Sequence, residues 1–366
     1  MKIESLSFCY TKSGWKITDV QLDNLTLLVG ASGVGKTRIL ECVIHLRDTA
    51  LDRIQDYERK SISWRLKFIL NSQEHYEWVG ERNKEDGFVT EEIFLNGVSI
   101  VSRKGGKVSL SEGTILKLNS DSSLLYLMGE DERIKPVINA LELISYDSLN
   151  DRIVGYSGVF FKEENLEQKA YTTEEIRALK QSLLVKLYLA EKSELAVIKE
   201  IKQDFVEVFP FVEGVFIQKE LYKTQGQNFN LINWFIKEVG VENPIPESEL
   251  SSGMKRTFLQ LCNLHLCPDG TIFLIDEFEN SLGINCIDEL TSILKSAAHR
   301  KLQFIITSHH PYIINQIHYK YWKLVTRHGG EVRVQNATDL IDFEKSRQQA
   351  FMQLTQLEEF TTGISE

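Results

Sequence analysis

The chain has 366 residues, 42% of them hydrophobic and 26% charged, with a net charge of -10. That is enough apolar side chain for a large core in two or three lobes. An acidic balance of this size excludes a general affinity for nucleic acid or anionic membranes, so any DNA contact has to be local.

The opening residues, MKIESLSFCY, alternate like a strand and lack the basic-then-apolar order of a secretory leader. Residues 3–29 read as two strands joined by TKSG, the second being the apolar run NLTLLVG, fit for a buried parallel strand. GASGVGKT follows, then the apolar-periodic RILECVIHLRD, a helix. The loop Gly30-Ala31-Ser32-Gly33-Val34-Gly35-Lys36-Thr37 fits G-x-x-x-x-G-K-[ST] completely, in the strand–loop–helix context that the pattern requires. Its glycines let backbone N–H groups turn inward as an anion nest, and the helix start adds a positive dipole end. Lys36 reaches the β- and γ-phosphates of a nucleotide, the Thr37 hydroxyl ligates Mg²⁺, and Arg38 completes the contact set.

Residues 60–118 switch to alternating patterns with Asn-Gly, Asp-Gly and Gly-Gly turns, the mark of antiparallel hairpins. One hairpin turn carries NKED (Asn83 to Asp86), which matches the guanine-reading pattern of GTPases. It does not follow a buried apolar strand, so it reads as a charged turn. The expected base is therefore adenine, stacked on Tyr10 or Trp15. Another tip, SRKGGK (Ser102 to Lys107), is basic.

The segment 120–150 reads as mostly helical. From Tyr171 a capping-box pattern, Thr172 to Glu175, opens a helical insertion with a break near Glu191 to Ser193. EGVFIQKELY and NFNLINWFIKEVG form a hairpin. After residue 246 the pattern is helix, strand TIFLIDE, helix, strand LQFIITSHH, helix, strand YWKLVTRHGG, and a final amphipathic helix over 340–360. Cys9, Cys42, Cys262, Cys267 and Cys286 are scattered. Cys262 and Cys267 flank His265 at a spacing poor for zinc, so buried thiols in a reducing compartment are expected. No apolar run reaches the ~18 residues of a membrane helix, and the expectation is a soluble, cytoplasmic protein.

Four apolar residues, Ile272 to Ile275, precede Asp276 and Glu277, at the strand end where open α/β sheets place ligands. Side chains alternate along a strand, so the two carboxylates point different ways. Asp276 suits the Mg²⁺ shell, directly or through water; Glu277 suits a general base for the attacking water. His309, after the next buried strand, suits a γ-phosphate sensor and is preferred over His310 because of the Pro311 that follows.

Taken in order, the phosphate loop, LSSGMKR, IFLIDE and TSHH resemble the ABC-type ATPase superfamily, and within it the soluble branch of RecF, SMC-like repair and OLD families. The resemblance covers about 1–50 and 246–330. It implies an α/β fold: an ABC-type P-loop ATPase head with an antiparallel β subdomain and a short helical insertion. The expected division is 1–120 for a first ATPase lobe with the β subdomain and 121–245 for the helical insertion and hairpin. Residues 246–335 make a second ATPase lobe, and 336–366 a helical tail. Leu250-Ser251-Ser252-Gly253-Met254 matches the family's L-S-G-G-Q signature with Ser for the first Gly and Met for Gln. The resemblance implies that Ser251, Ser252, Gly253 and Met254 bind the γ-phosphate held by a second subunit, so that a homodimer closes around two ATPs.

The chain departs from the pattern in three places. The phosphate loop lacks the Asn common in this branch before its second glycine. The loop after Glu277, FENSLG, lacks the usual Pro and Asp, leaving Asn280, Ser281 and Leu282 to face the dimer. The glutamine loop has two candidates, Gln73 and Gln168. LSSGMKR with IDEFENSLG further resembles ATPase subunits of bacterial phage-defence modules of the Septu and PARIS kinds, in which such an ATPase is paired with a nuclease. The implied function is an ATPase using ATP and Mg²⁺ that regulates a partner effector, a nuclease or toxin encoded nearby. The alternative is a RecF-like DNA-binding repair ATPase using the basic tip. A transporter subunit fits less well, given the inserted hairpins and unusual signature; a scaffold that holds ATP with little turnover is a fourth reading.

Overall fold

The computed structural model describes residues 1–55, 60–71, 73–110, 113, 115–147, 159–161, 166, 168–224, 227–279, 300–340 and 346–364. The chain divides into two compact units: Met1–Ser148 with Gly270–Phe278 and Ala298–Glu366, and Leu149–Asp269 with Glu279–Ala297. This division differs from the segments expected. Residues up to 147 stay with the phosphate loop, and the signature goes with the helical insertion.

The first unit opens with three strands where two were expected: β1 (Lys2–Tyr10), β2 (Trp15–Gln21) and β3 (Leu25–Val29). The chain turns between β2 and β3, where the Asp23 N–H donates to Thr26 Oγ1 at 2.9 Å. β2 is half-exposed and pairs antiparallel with β1, whereas β3 is buried throughout. Helix α1 (Lys36–Ala50) starts from Gly35 in the left-handed region, φ 113°. A meander follows: β4 (Ile62–Ile69), β5 (His75–Asn83), β6 (Gly87–Leu95), β7 (Val98–Lys104), β8 (Lys107–Leu110) and β9 (Ile115–Leu116). The stretch expected to be helical contains only short helices, α2 (Leu124–Leu127) and α3 (Lys135–Leu141). It ends in a strand, β10 (Ile144–Asp147).

The basic tip is half what its sequence suggests. Arg103 is buried, donating to the Ser120 and Ser122 carbonyls at 3.4 and 3.1 Å, with its guanidinium over the Phe88 ring. Its counter-charge is Glu91, equally buried and bonded by Trp78 Nε1, Ser123 Oγ and the Leu124 N–H. Burial pushes the Glu91 carboxyl up, against the pull of those donors and of Arg103. Of the tip's three basic residues, Lys104 and Lys107 remain exposed.

The second unit holds β11 (Val159–Phe161), α4 (Thr173–Ala178), α5 (Leu183–Lys192) and α6 (Ala196–Val208). It continues with the hairpin β12 (Val212–Thr224) and β13 (Gln227–Glu238), then β14 (Ile245–Pro246) and α7 (Ser252–Leu266). The capping box at Thr172 and Glu175 is formed. Glu194, at φ 54°, separates α5 from α6. The core of this unit is aromatic: Trp234 stacks on Phe258 at 4.1 Å, and Phe205 meets both edge-on. His265, near the end of α7, is tied to α6 through Asp204 at 2.8 Å.

The chain returns to the first unit with β15 (Ile272–Ile275), β16 (Gln303–Thr307), α8 (Pro311–Gln316), β17 (Trp322–His328) and β18 (Glu331–Asn336). The tail is two helices, α9 (Arg347–Gln356) and α10 (Glu358–Thr362). Fourteen strands join in the order β10-β15-β16-β3-β17-β18-β2-β1-β4-β5-β6-β7-β8-β9. From β10 to β17 they run parallel; from β1 to β9 they run antiparallel. Parallel strands are covered on both faces, which is why β3, β15 and β16 read as unbroken apolar runs.

One buried polar side chain fastens this sheet. Gln303, 1% exposed, bonds both the N–H and the carbonyl of Ile3 at 2.8 Å and the Asp23 carbonyl at 3.0 Å. Gln303→Leu leaves the two buried backbone groups of Ile3 without this partner and is expected to cost about 2 kcal/mol, read as a shifted urea midpoint. His45 on α1 gives a second test. Its ring lies against Phe8 and Tyr10, and burial, aided by Arg82 and Lys60, lowers its pKa to about 4. The unfolded chain takes up that proton near pH 6.5, so this contribution to stability is complete above about 6.5 and declines as pH falls toward 4. The decline is expected to be about 3 kcal/mol, and His45→Phe flattens it in pH-dependent melting curves.

Candidate nucleotide-binding site

The C-terminal ends of β3, β15 and β16 lie side by side, and each delivers one part of a site. β3 runs into the phosphate loop. Gly30, at φ 142°, has no room for a side chain: a Cβ there would run into the Val325 carbonyl of β17. Gly35, at φ 113°, packs so close to β18 that a Cβ would meet Val332 Cγ2 at 3.2 Å. The loop is therefore pressed on to the sheet at both ends, while Ser32 and Gly33 are exposed. Gly363, after α10, closes the loop's other side. Its carbonyl accepts from the Arg327 N–H at 2.8 Å, and a Cβ on it would collide with Val34 and stand 3.0 Å from Ala31 Cβ.

Lys36 is buried, and its Nζ donates to the Gly30 and Ala31 carbonyls, both at 2.8 Å. An ammonium resting on the loop's own carbonyls stands beside the place an anion would take. A cavity of about 230 Å³ opens here, with Ser32, Lys36, Thr37, Arg38, Glu277 and His309 in its wall.

β15 contributes Asp276, 7% exposed, whose Oδ1 accepts from Thr37 Oγ1 at 3.0 Å. A hydroxyl and a carboxylate this close, beside the cavity that Thr37 lines, are the hard oxygen donors that suit Mg²⁺. Glu277 follows in the left-handed region, φ 46°, a costly conformation for a residue with a side chain. Its Oε1 lies 3.5 Å from His309 Nε2, beyond the end of β16. The two strand-end histidines divide. His309 lines the cavity, whereas His310 is exposed and its Nδ1 caps α8 by accepting from the Tyr312 N–H.

The aromatic pair expected to stack adenine is not open. Tyr10 and Trp15 are 8% and 3% exposed, and the Arg38 guanidinium covers both rings, 5.1 and 4.5 Å from their centroids. Burial pushes the Tyr10 phenol up to about 12, with Cys42 acting in the same sense and Arg38 opposing. Both rings are core residues, and the group that they present to the cavity is Arg38.

In the second unit, Ser251 is the N-cap of α7, with Oγ accepting from the Met254 N–H at 3.2 Å. Ser251 and Ser252 are exposed at the helix start; Met254 is buried in its own unit. Gln73 lies exposed in the β4–β5 turn and Gln168 is exposed in the second unit. Asn280, Ser281, Leu282 and Cys286 fall outside the described residues. Cys42 and Cys262 are buried free thiols, pushed up by burial. Among the described residues, no helix is long and apolar enough to cross a membrane.

Comparison with known proteins agrees with this geometry at the level of fold. A family model described as "AAA domain, putative AbiEii toxin, Type IV TA system" matches residues 148–315, a span that takes in Leu250–Met254, Asp276, Glu277 and His309. No curated protein matches the chain. Among solved structures, an Smc head bound to the C-terminal winged-helix domain of ScpA is similar at a TM-score of 0.56 and 13% identity, over 91% of this chain and 97% of that one. An Smc head with an extended coiled coil, bound to the C-terminal domain of ScpA from Pyrococcus furiosus, gives 0.52 and 13%, over 91% and 95%. The fold is that of an Smc head domain.

Proposed function

We propose that this chain is an ABC-type ATPase that binds MgATP at the phosphate loop, dimerises around two ATPs and passes the state of that dimer to a partner effector. The observation that supports the reading is the convergence of Thr37, Asp276, Glu277 and His309 beside a glycine loop with a lysine at its mouth. The loop N–H groups and the start of α1 hold the phosphates. Lys36 exchanges its carbonyl partners for phosphate oxygens. Thr37 and Asp276 hold Mg²⁺, which neutralises charge on the β- and γ-phosphates. Glu277 accepts the proton of the attacking water, and His309, beside that carboxylate, orients it and contacts the γ-phosphate.

Completion in trans falls to the start of α7. Its exposed Ser251 and Ser252 and the helix dipole suit a phosphate offered by a second copy. Bound nucleotide then reports assembly, and hydrolysis resets it. Two findings bear on the output. The matching family description names a toxin of a toxin–antitoxin system, and the similar Smc heads are each seen with a bound partner domain. We assign the output to a nuclease or toxin partner in anti-phage defence. The DNA-binding alternative loses support, because Arg103 is not available at the basic tip.

Glu277→Gln is expected to bind ATP, hydrolyse it at least about 100-fold more slowly and double in mass by light scattering when MgATP is added. A particle that stays monomeric at every ATP level would sink the dimer reading. Lys36→Ala is expected to weaken ATP binding by about 10- to 100-fold, the worth of a charge-assisted phosphate contact, with little change in melting temperature.

A further inference from the structure

Thr307, the last residue of β16, makes contacts that none of the roles above account for. Its hydroxyl donates to Asp276 Oδ1 at 2.6 Å and accepts from the Glu277 N–H at 2.8 Å. Its carbonyl accepts from the Phe278 N–H at 3.1 Å. Three consecutive residues of the acidic strand end are thus fastened to one residue of the neighbouring strand. The side chain is 1% exposed, so water does not compete for these bonds.

The register explains the meeting. Ile275 lies level with Ile306, which brings Asp276 beside Thr307. Glu277 then departs from the strand at φ 46°, a backbone state that a non-glycine residue keeps only when its surroundings hold it. The bond from its N–H to the Thr307 hydroxyl is such a hold. Only a hydroxyl can donate to a carboxylate and accept from an N–H at one position; Val and Ala do neither.

We propose that Thr307 is the positioning residue of this site: one hydroxyl orients the carboxylate that takes the cation and pins the backbone that carries the general base. The assignment rests on the nucleotide-hydrolysing reading of the preceding subsection. It predicts that cation use and water activation fail together when the hydroxyl is lost.

The test compares wild type, Thr307→Val and Thr307→Ser, with Thr307→Ala as a second hydroxyl-free variant in case Val does not fold. Affinity for a fluorescent ATP analogue is measured with Mg²⁺ and with EDTA, beside steady-state hydrolysis. Thr307→Val is expected to lose about tenfold in the Mg²⁺-dependent part of affinity and to keep the affinity seen in EDTA. Its kcat is expected to fall at least tenfold, with KM for MgATP rising in step with the lost Mg²⁺-dependent affinity. Thr307→Ser is expected to restore both, which a loss of packing at β16 would not predict. A hydroxyl-free variant with wild-type Mg²⁺ dependence and kcat overturns the proposal, as does a Ser variant as impaired as Val. If the wild type binds no nucleotide, the reading of the site falls and this assignment falls with it. If the wild type binds and hydrolyses while Val matches it, the assignment alone falls.

Discussion

The parallel register of β3, β16 and β15 is the constraint on which the site depends. Ile275 is level with Ile306, and Ile306 with Leu27. From that alignment it follows that the phosphate loop, Thr307 and Asp276 leave the sheet at one edge and one height. Strand side chains alternate, so a slip of one residue would turn Asp276 to the other face and part it from both threonines. The register is held by side chains buried on both faces, among them Phe273 and Phe304, stacked at 5.3 Å and nearly coplanar. Gln303 adds a fixed reference from outside the parallel set by bonding to β1. The chemistry at the rim is placed by apolar packing one layer below it.

A second balance is electrostatic. The site gathers carboxylates, a buried ammonium and a guanidinium around one small cavity. Lys36 is held by carbonyls, Asp276 by hydroxyls and Arg38 by aromatic rings, while Glu277 lies beside His309. Groups held in this way are preorganised, and little reorganisation is needed when an anion and a cation arrive. Arg38 shows how the arrangement reuses the core. Tyr10 and Trp15 lie under the guanidinium, and so the surface turned to the cavity there is charged and flat rather than aromatic.

Much of this was legible in the sequence, for reasons of locality. The phosphate loop, the acidic strand end and the histidine after β16 are each written in a few consecutive residues whose spacing carries the chemistry. Ser251 caps α7, a role that a serine at a helix start suits. What could not be read depends on partners far along the chain. Ile144–Asp147 forms a strand because β15 offers it a parallel edge, not because of its own pattern. Arg103 looks like a surface charge until Glu91 and the Ser120 and Ser122 carbonyls surround it. Tyr10 and Trp15 look like a base platform until Arg38, more than twenty residues on, covers them. Thr307 is a plain strand residue until the register sets it beside Asp276, 31 residues earlier.

The close approach of Gly363 to the phosphate loop has a practical side. The stretch that follows α10 is in effect a backing plate for Ala31 and Val34, and is itself fastened to β17 through the Arg327–Gly363 bond and the adjoining Arg327–Ile364 bridge. A label or fusion attached there would lean on the loop without touching nucleotide, and its removal would relax it. Nucleotide affinity thus becomes a gauge of whatever acts on that stretch, including a protein that docks on it. Under the function proposed above, with output to another chain, this is a lever from surface to phosphate loop that runs through two residues.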